Sequence, residues 1–164
     1  MSDIQGTGSC SLLIQPTRSL AGVDELFSPR RVLTYGTYDT MHWGHINLLR
    51  RAKELAHGGE LFVALSTDEF NEVKGKKAYH DFETRLKMLT AIKYVDQVIP
   101  ELCWEQKLSD VEKFGIECVV MGNDWAGSEY FEILRDYCDL VFLPRTELIS
   151  SSNIRRYILQ TESY

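Results

Sequence analysis

From Arg31 onward, short and largely apolar runs alternate with segments whose apolar residues recur every three or four positions. Residues 32–35, 61–65, 95–99, 118–121 and 140–143 form the runs, which predict strands buried on both faces. Pro100, Gly122 and Pro144 close the last three. Between the runs lies the helical period. Ile46, Leu48, Leu49, Ala52 and Leu55 predict a helix over 44–56. Phe82, Leu86, Leu89 and Ile92 predict one capped by Asp81. Trp104, Leu108, Val111 and Phe114 predict one ended by Gly115, Tyr130, Leu134 and Tyr137 another, and residues 151–160 the last. The polar, lysine-rich stretch 67–80 is expected to be a loop.

Five strands alternating with five helices predict a single-domain α/β fold, a Rossmann-like, doubly wound, five-stranded parallel sheet. Ligands of such sheets bind beyond the carboxyl ends of the strands. The segments 36–45, 67–77, 122–125 and 144–152 each follow a strand and are expected to converge there. Residues 1–29 sustain no period and read as a flexible extension, with a short helical turn around Val23, Leu26 and Phe27. The domain is expected over 30–160, with 161–164 as a tail.

The charge changes the picture in one respect. With 18 Lys and Arg against 24 Asp and Glu, the net charge is −6, which argues against a protein that coats nucleic acid or a membrane surface. No apolar run approaches the roughly 18 residues of a membrane span. Cys10, Cys103, Cys118 and Cys138 show no C-x-x-C pairing and read as reduced thiols. With no order typical of a signal peptide, a cytoplasmic location is expected.

The candidate chemistry begins at His42-Trp43-Gly44-His45, between the first run and the first helix. A helix start presents unpaired N–H groups and partial positive charge, so imidazoles placed there can bind phosphate oxygens and stabilise charge developing on them. Two histidines three apart could also form a metal pair, although helical metal pairs prefer a spacing of four. His57 and His80 stand in other segments and read as surface residues. The second candidate is Arg145-Thr146-Glu147-Leu148-Ile149-Ser150-Ser151-Ser152 before the last helix. A cation and hydroxyls at a helix start suit an anion, and a serine there can equally be an ordinary N-cap.

Together with Tyr35-Gly36-Thr37-Tyr38-Asp39, Ser66-Thr67-Asp68-Glu69-Phe70-Asn71, Lys76-Lys77-Ala78-Tyr79-His80, Tyr94-Val95-Asp96-Gln97-Val98-Ile99-Pro100 and Trp104-Glu105-Gln106-Lys107, these motifs resemble the cytidylyltransferase family of H-x-G-H nucleotidyltransferases. Within it they are most similar to the bacterial glycerol-3-phosphate cytidylyltransferases. The resemblance implies transfer of CMP from CTP to sn-glycerol 3-phosphate, giving CDP-glycerol and pyrophosphate. It also implies Mg²⁺ or another divalent cation with CTP, and a homodimer with residues 93–96 and part of the first helix near its axis. By resemblance, His42, His45, Lys76 and Arg145 are catalytic. Thr37, Tyr38, Trp43, Gly44, Asp124, Thr146, Glu147, Ile149, Ser150, Ser151 and Ser152 meet the nucleotide. Lys74 and Lys107 meet the acceptor, and no metal ligand is assigned. Trp104, which shares a helix face with Lys107, is expected to line the acceptor site too. Other phosphorylated alcohols as acceptors, or a catalytically silent nucleotide-binding module, remain open alternatives. A phosphocholine enzyme would want an aromatic box, and none is evident in the sequence. Three departures stand out: Leu148 where the family usually has glycine, Lys93 where it has arginine, and Ser151-Ser152 where two threonines, or a serine and a threonine, are usual.

Overall fold

The computed structural model describes residues 28–147 and 149–161. The expectations for residues 1–27, for Leu148 and for 162–164 lie outside the described residues. Five strands, β1 (Val32–Gly36), β2 (Leu61–Ser66), β3 (Gln97–Glu101), β4 (Cys118–Gly122) and β5 (Asp139–Leu143), form one sheet in the order β3-β2-β1-β4-β5. All four pairings are parallel. The order reverses between β1 and β4, so the loops after these two strands flank the switch point.

Among the described residues six α-helices surround the sheet: α1 (Trp43–Leu55), α2 (Asp68–Val73), α3 (Phe82–Thr90), α4 (Gln106–Phe114), α5 (Glu129–Glu132) and α6 (Ser151–Thr161). Alternate strand residues feed two cores, as a sheet covered on both faces requires. Val32, Leu61, Val63, Leu65 and Val120 pack with Leu49 and Ala52 of α1 and Leu89 of α3. Leu33, Tyr35, Phe62, Ala64, Val119 and Met121 pack with Val111 of α4, Phe131 of α5 and Leu134.

Three differences from the sequence reading have local causes. The expected loop after β2 opens with a helix, α2. Thr67 caps it, its side chain accepting from Phe70 N at 3.2 Å, Asp68 and Glu69 stand in the first turn, and Phe70 and Asn71 are buried. The third strand starts two residues late and runs through Pro100 to Glu101. Proline's missing N–H is tolerated because β3 is an edge strand with one neighbour, β2. The helix expected from Tyr130 to Tyr137 is regular only over Glu129–Glu132 and continues as turns.

Arg85 joins three of the loops above the sheet. Its side chain is fully buried and donates to the carbonyls of Thr37 (2.8 Å), Ser66 (2.8 Å) and His80 (3.0 Å), and to Asp68 Oδ1 (2.6 Å). One planar fork thus satisfies backbone acceptors after β1, at the end of β2 and before α3.

Candidate active site

A cleft of about 690 Å³ lies beyond the carboxyl ends of the strands, lined from the segments after β1, β2, β3, β4 and β5. Six lysines and arginines line it (Arg51, Lys74, Lys76, Lys77, Arg145, Arg155) against three carboxylates (Asp39, Glu101, Asp124). An acidic chain therefore concentrates positive charge where an anion would sit.

The histidine corner is built by the turn between β1 and α1. His42 is the N-cap of α1, and its Nδ1 accepts from Gly44 N at 3.0 Å. That bond places the proton of the neutral ring on Nε2, which makes His42 a donor. A Cβ on Gly44 would lie 2.9 Å from His42 Cε1, so the folded-over ring requires glycine there. His45 stacks on His42 with centroids 3.9 Å apart and planes at 22°. Burial, with a smaller contribution from His42, pushes the His45 pKa down to about 4, and burial also lowers that of His42. Both rings are therefore neutral near pH 7. His45 Nδ1 is buried without a hydrogen-bond partner among the described residues. Tyr38, at a left-handed φ of 47°, packs against His45 at 5.4 Å. The Tyr38 ring also lies over Gly36, where a Cβ would meet Cε2 at 2.7 Å. Such a backbone outlier is held by its surroundings and is common beside functional groups.

Asp39, the next residue, accepts from Tyr79 N (2.9 Å), His80 N (3.0 Å) and the Arg155 guanidinium. Burial alone would raise its pKa, and these donors together hold it below the usual carboxylate range. Asp39 thereby ties the ends of the lysine loop and α6 to the β1 turn. Thr37 Oγ1 donates to Asn71 Oδ1 at 2.8 Å, and Asn71 O accepts from Lys76 N at 2.8 Å, so α2 couples the same turn to Lys76.

On the opposite wall, Asn47 Nδ2 donates to Thr146 Oγ1 (2.9 Å) and Arg51 Nη1 to Pro144 O (3.0 Å), docking the loop after β5 on α1. Arg145 Nη2 pairs with Asp124 Oδ2 at 2.9 Å, joining the loops after β5 and β4. Ser150 Oγ accepts from Asn153 N at 3.1 Å and so acts as a cap of α6, while Ser151 and Ser152 line the cleft with Ile149.

The third part is a chamber at the ends of β2 and β3. Glu101 is only 1% exposed. Its Oε1 accepts from Lys107 Nζ (3.0 Å), and its Oε2 from Lys74 Nζ (3.0 Å) and Ser66 Oγ (2.6 Å). Burial lowers the Lys74 pKa, Glu101 opposes that, and Lys76 and Lys107 add to it. Phe70, Trp104 and Tyr130 close around the pair, with Trp104 stacked on Tyr130 at 4.0 Å and 17°.

The structure brings Thr37, Tyr38, His42, Gly44, His45, Lys74, Lys76, Trp104, Asp124, Arg145, Thr146, Ile149, Ser150, Ser151 and Ser152 to this one cleft. Three expected residues do not line it. Trp43 is 57% exposed. Successive helical residues point about 100° apart, so a helix that turns residue 45 inward turns 43, two positions earlier, to the opposite side. Glu147 stands exposed in a turn. Lys107 is 0% exposed and lies beneath the cleft floor rather than in it. Glu101, Asn71, Arg85, Arg51 and Arg155 went unrecognised in the sequence. Pro100 hid Glu101 by suggesting that the strand had already ended.

Fold and cleft together define a nucleotide-handling α/β protein. The cytidylyltransferase-like family model matches residues 33–157, and the chain belongs to that family. It is 56% identical over 127 residues to the glycerol-3-phosphate cytidylyltransferase of Staphylococcus aureus, covering 77% of this chain and 93% of that one. It is 54% identical over 129 residues to the enzyme of the same name from Bacillus subtilis, covering 79% and 97%. Among solved structures, the lipopolysaccharide core biosynthesis protein of Thermoplasma volcanium shares the fold. Its TM-score is 0.63 at 24% identity, over 72% of this chain and 98% of that one.

Proposed function

We propose that the protein transfers CMP from CTP to sn-glycerol 3-phosphate, releasing pyrophosphate and CDP-glycerol, by direct in-line attack without a covalent enzyme intermediate. The observation that carries this reading is the stacked, neutral His42–His45 pair at the start of α1, facing a cleft with an excess of cations. The relatives at 54–56% identity, which bear the name of this activity, support it.

The acceptor phosphate is already an anionic nucleophile at neutral pH, so the chemistry needs no strong base. The barrier is electrostatic. Two anions must meet, and charge must pass to the departing pyrophosphate. In this reading the imidazole donors meet oxygens of the triphosphate as charge builds there. Lys76, which has no carboxylate partner among the described residues, and Arg145 draw in the β- and γ-phosphates. Lys74 holds the acceptor phosphate at the chamber mouth, and Thr146, Ser151 and Ser152 hold the nucleotide.

A divalent cation such as Mg²⁺ accompanies CTP in the same reading. Among the described residues no group of three or more His, Cys, Asp or Glu could hold a metal ion. The cleft carboxylates Asp39, Glu101 and Asp124 are each already held by arginine or lysine. The donor set therefore fits an ion carried by triphosphate oxygens and not one caged by these residues, and no step here passes through it.

The reading extends to a homodimer in the cytoplasm. Trp43, exposed at the start of α1, supports a contact there. Asp96 accepts from Lys53 Nζ and Leu61 N, both at 2.6 Å, so its carboxylate already serves the subunit itself. Light scattering over a dilution series is expected to give twice the chain mass, and a fully active monomer would exclude the dimer. The activity is tested by pyrophosphate release with CTP and a panel of glycerol 3-phosphate, phosphocholine, phosphoethanolamine and polyol phosphates, with ATP as control. Release is expected with CTP and glycerol 3-phosphate. Release with none of the acceptors would leave a silent binding module.

A further inference from the structure

Beneath the cleft floor the Lys107 side chain ends inside a ring of aromatic faces. Its Nζ lies 4.6 Å from the centroid of Tyr35, 4.7 Å from that of Trp104 and 5.2 Å from that of Phe131. Glu101 closes the ring, with Oε1 at 3.0 Å. The walls are braced. The Tyr35 hydroxyl donates to Asp110 Oδ2 at 3.1 Å, Trp104 stacks on Tyr130, and Trp125 packs edge-on against Phe131 at 5.4 Å. Three aromatic faces within about 6 Å of one point, with a carboxylate beside them, make a site for a small organic cation, a quaternary ammonium above all. Here the cation belongs to the chain. Lys107 is fully buried and does not line the cleft, whereas Tyr35, Glu101 and Phe131, though buried as well, form part of the cleft wall together with Trp104. The cage thus faces the cleft and is filled from behind.

We propose that Lys107 determines the class of acceptor: its tethered ammonium fills a cage that would otherwise take an alkylammonium headgroup, so that phosphorylated polyols are accepted and phosphocholine is refused. This rests on the reading of the cleft as a cytidylyltransferase site. A trimethylammonium group could enter only by displacing a buried lysine and breaking its pair with Glu101. Both Glu101 oxygens are already committed, one to Lys107 and the other to Lys74 and Ser66. Truncating Lys107 would release one carboxylate oxygen and three aromatic faces at once, while Lys74 continues to neutralise Glu101 in part.

The test compares Lys107→Ala with Lys107→Met, which is neutral but keeps the cage filled. In Lys107→Ala the ratio of kcat/KM for glycerol 3-phosphate to that for phosphocholine should fall by about 100-fold, with an absolute gain in phosphocholine turnover of about 10-fold, the scale on which a single pocket contact discriminates. Lys107→Met should gain none. A parallel loss on all acceptors in both variants would mean a structural role alone and would overturn the proposal. Tetramethylammonium chloride provides an arm independent of turnover. It should quench tryptophan fluorescence and raise the melting temperature of Lys107→Ala, and leave the wild type unaffected. Lys107→Thr serves if the alanine variant does not fold. Binding of tetramethylammonium to the wild type, competitive with the acceptor, would overturn the proposal whichever variants fold. A wild type that releases no pyrophosphate but leaves tetramethylammonium unbound, beside a Lys107→Ala that binds it, would sink the activity reading and keep the cage.

Discussion

The histidine corner and the Glu101 chamber handle polarity in opposite ways, on opposite faces of the sheet. The corner belongs to the α1 face, where Tyr38 and Leu49 join the core. It presents neutral rings, and one of its buried nitrogens, His45 Nδ1, has no partner among the described residues. The chamber belongs to the α4–α5 face with Tyr35, Val111 and Phe131. Its carboxylate and two ammonium groups satisfy one another within 3.0 Å. An unsatisfied polar atom beside a cleft is stabilised when a ligand supplies the missing charge or bond. A satisfied network costs nothing further on binding and serves to hold its members in place. The corner is accordingly suited to charge that appears during reaction, and the chamber to charge that is already present on the acceptor.

The largest effect should come from the corner. His42→Ala and His45→Ala should each fold and lose about two orders of magnitude or more in kcat, the usual cost of removing one transition-state donor. Steady-state kinetics beside circular dichroism would check this, and activity within a few-fold of wild type would erase the contrast between the regions. The chamber should respond differently. Glu101→Gln should raise the acceptor KM by about 10-fold, leave the CTP KM nearly unchanged, and lower kcat less than either histidine variant does. Because Glu101 opposes the burial that lowers the Lys74 pKa, its loss should also move the alkaline limb of kcat/KM for the acceptor to lower pH. An unmoved limb would show that Lys74 does not meet the acceptor as an ammonium.

A smaller effect concerns stability. The His45 pKa is about 4 in the folded chain against an ordinary value of 6.5. Between these values the unfolded chain binds more protons, so stability should be lost as the pH falls from 6.5 towards 4. Urea melts of the ligand-free protein across that window should show the slope, and His45→Gln should flatten it. Smaller again, Asn71→Ala should raise KM for CTP by only a few-fold, since it reaches the cleft through Thr37 and the Lys76 backbone. A loss comparable to that of a histidine variant would place Asn71 in the chemistry itself.

The two regions also differ in how far the sequence revealed them. His42 and His45 are contiguous with the strand and helix that position them, so a four-residue string and its flanks predicted both location and chemistry. The parallel sheet was equally readable, because β1, β2 and β4, buried on both faces, leave unbroken apolar runs. The edge strands β3 and β5 are apolar but only partly buried, not buried on both faces as the runs had suggested. The chamber joins Tyr35, Ser66, Lys74, Glu101, Lys107 and Phe131 from six separate segments, and no local spacing announces that. Lys107 was expected to meet the acceptor, yet a lysine on a helix face reads the same whether it reaches solvent or, as here, a buried carboxylate. The aromatic box was missed for the same reason, since Tyr35 and Phe131 stand on different elements and meet only through the fold.

The central claim is that the corner stabilises a single direct displacement while the chamber delivers the nucleophile. The steric course at the α-phosphorus tests it most directly. With a CTP α-thiotriphosphate of one configuration and glycerol 3-phosphate as acceptor, one in-line step predicts inversion in the CDP-glycerol product. Retention would require two displacements through a nucleotidylated side chain, and would contradict the role assigned here to His42 and His45.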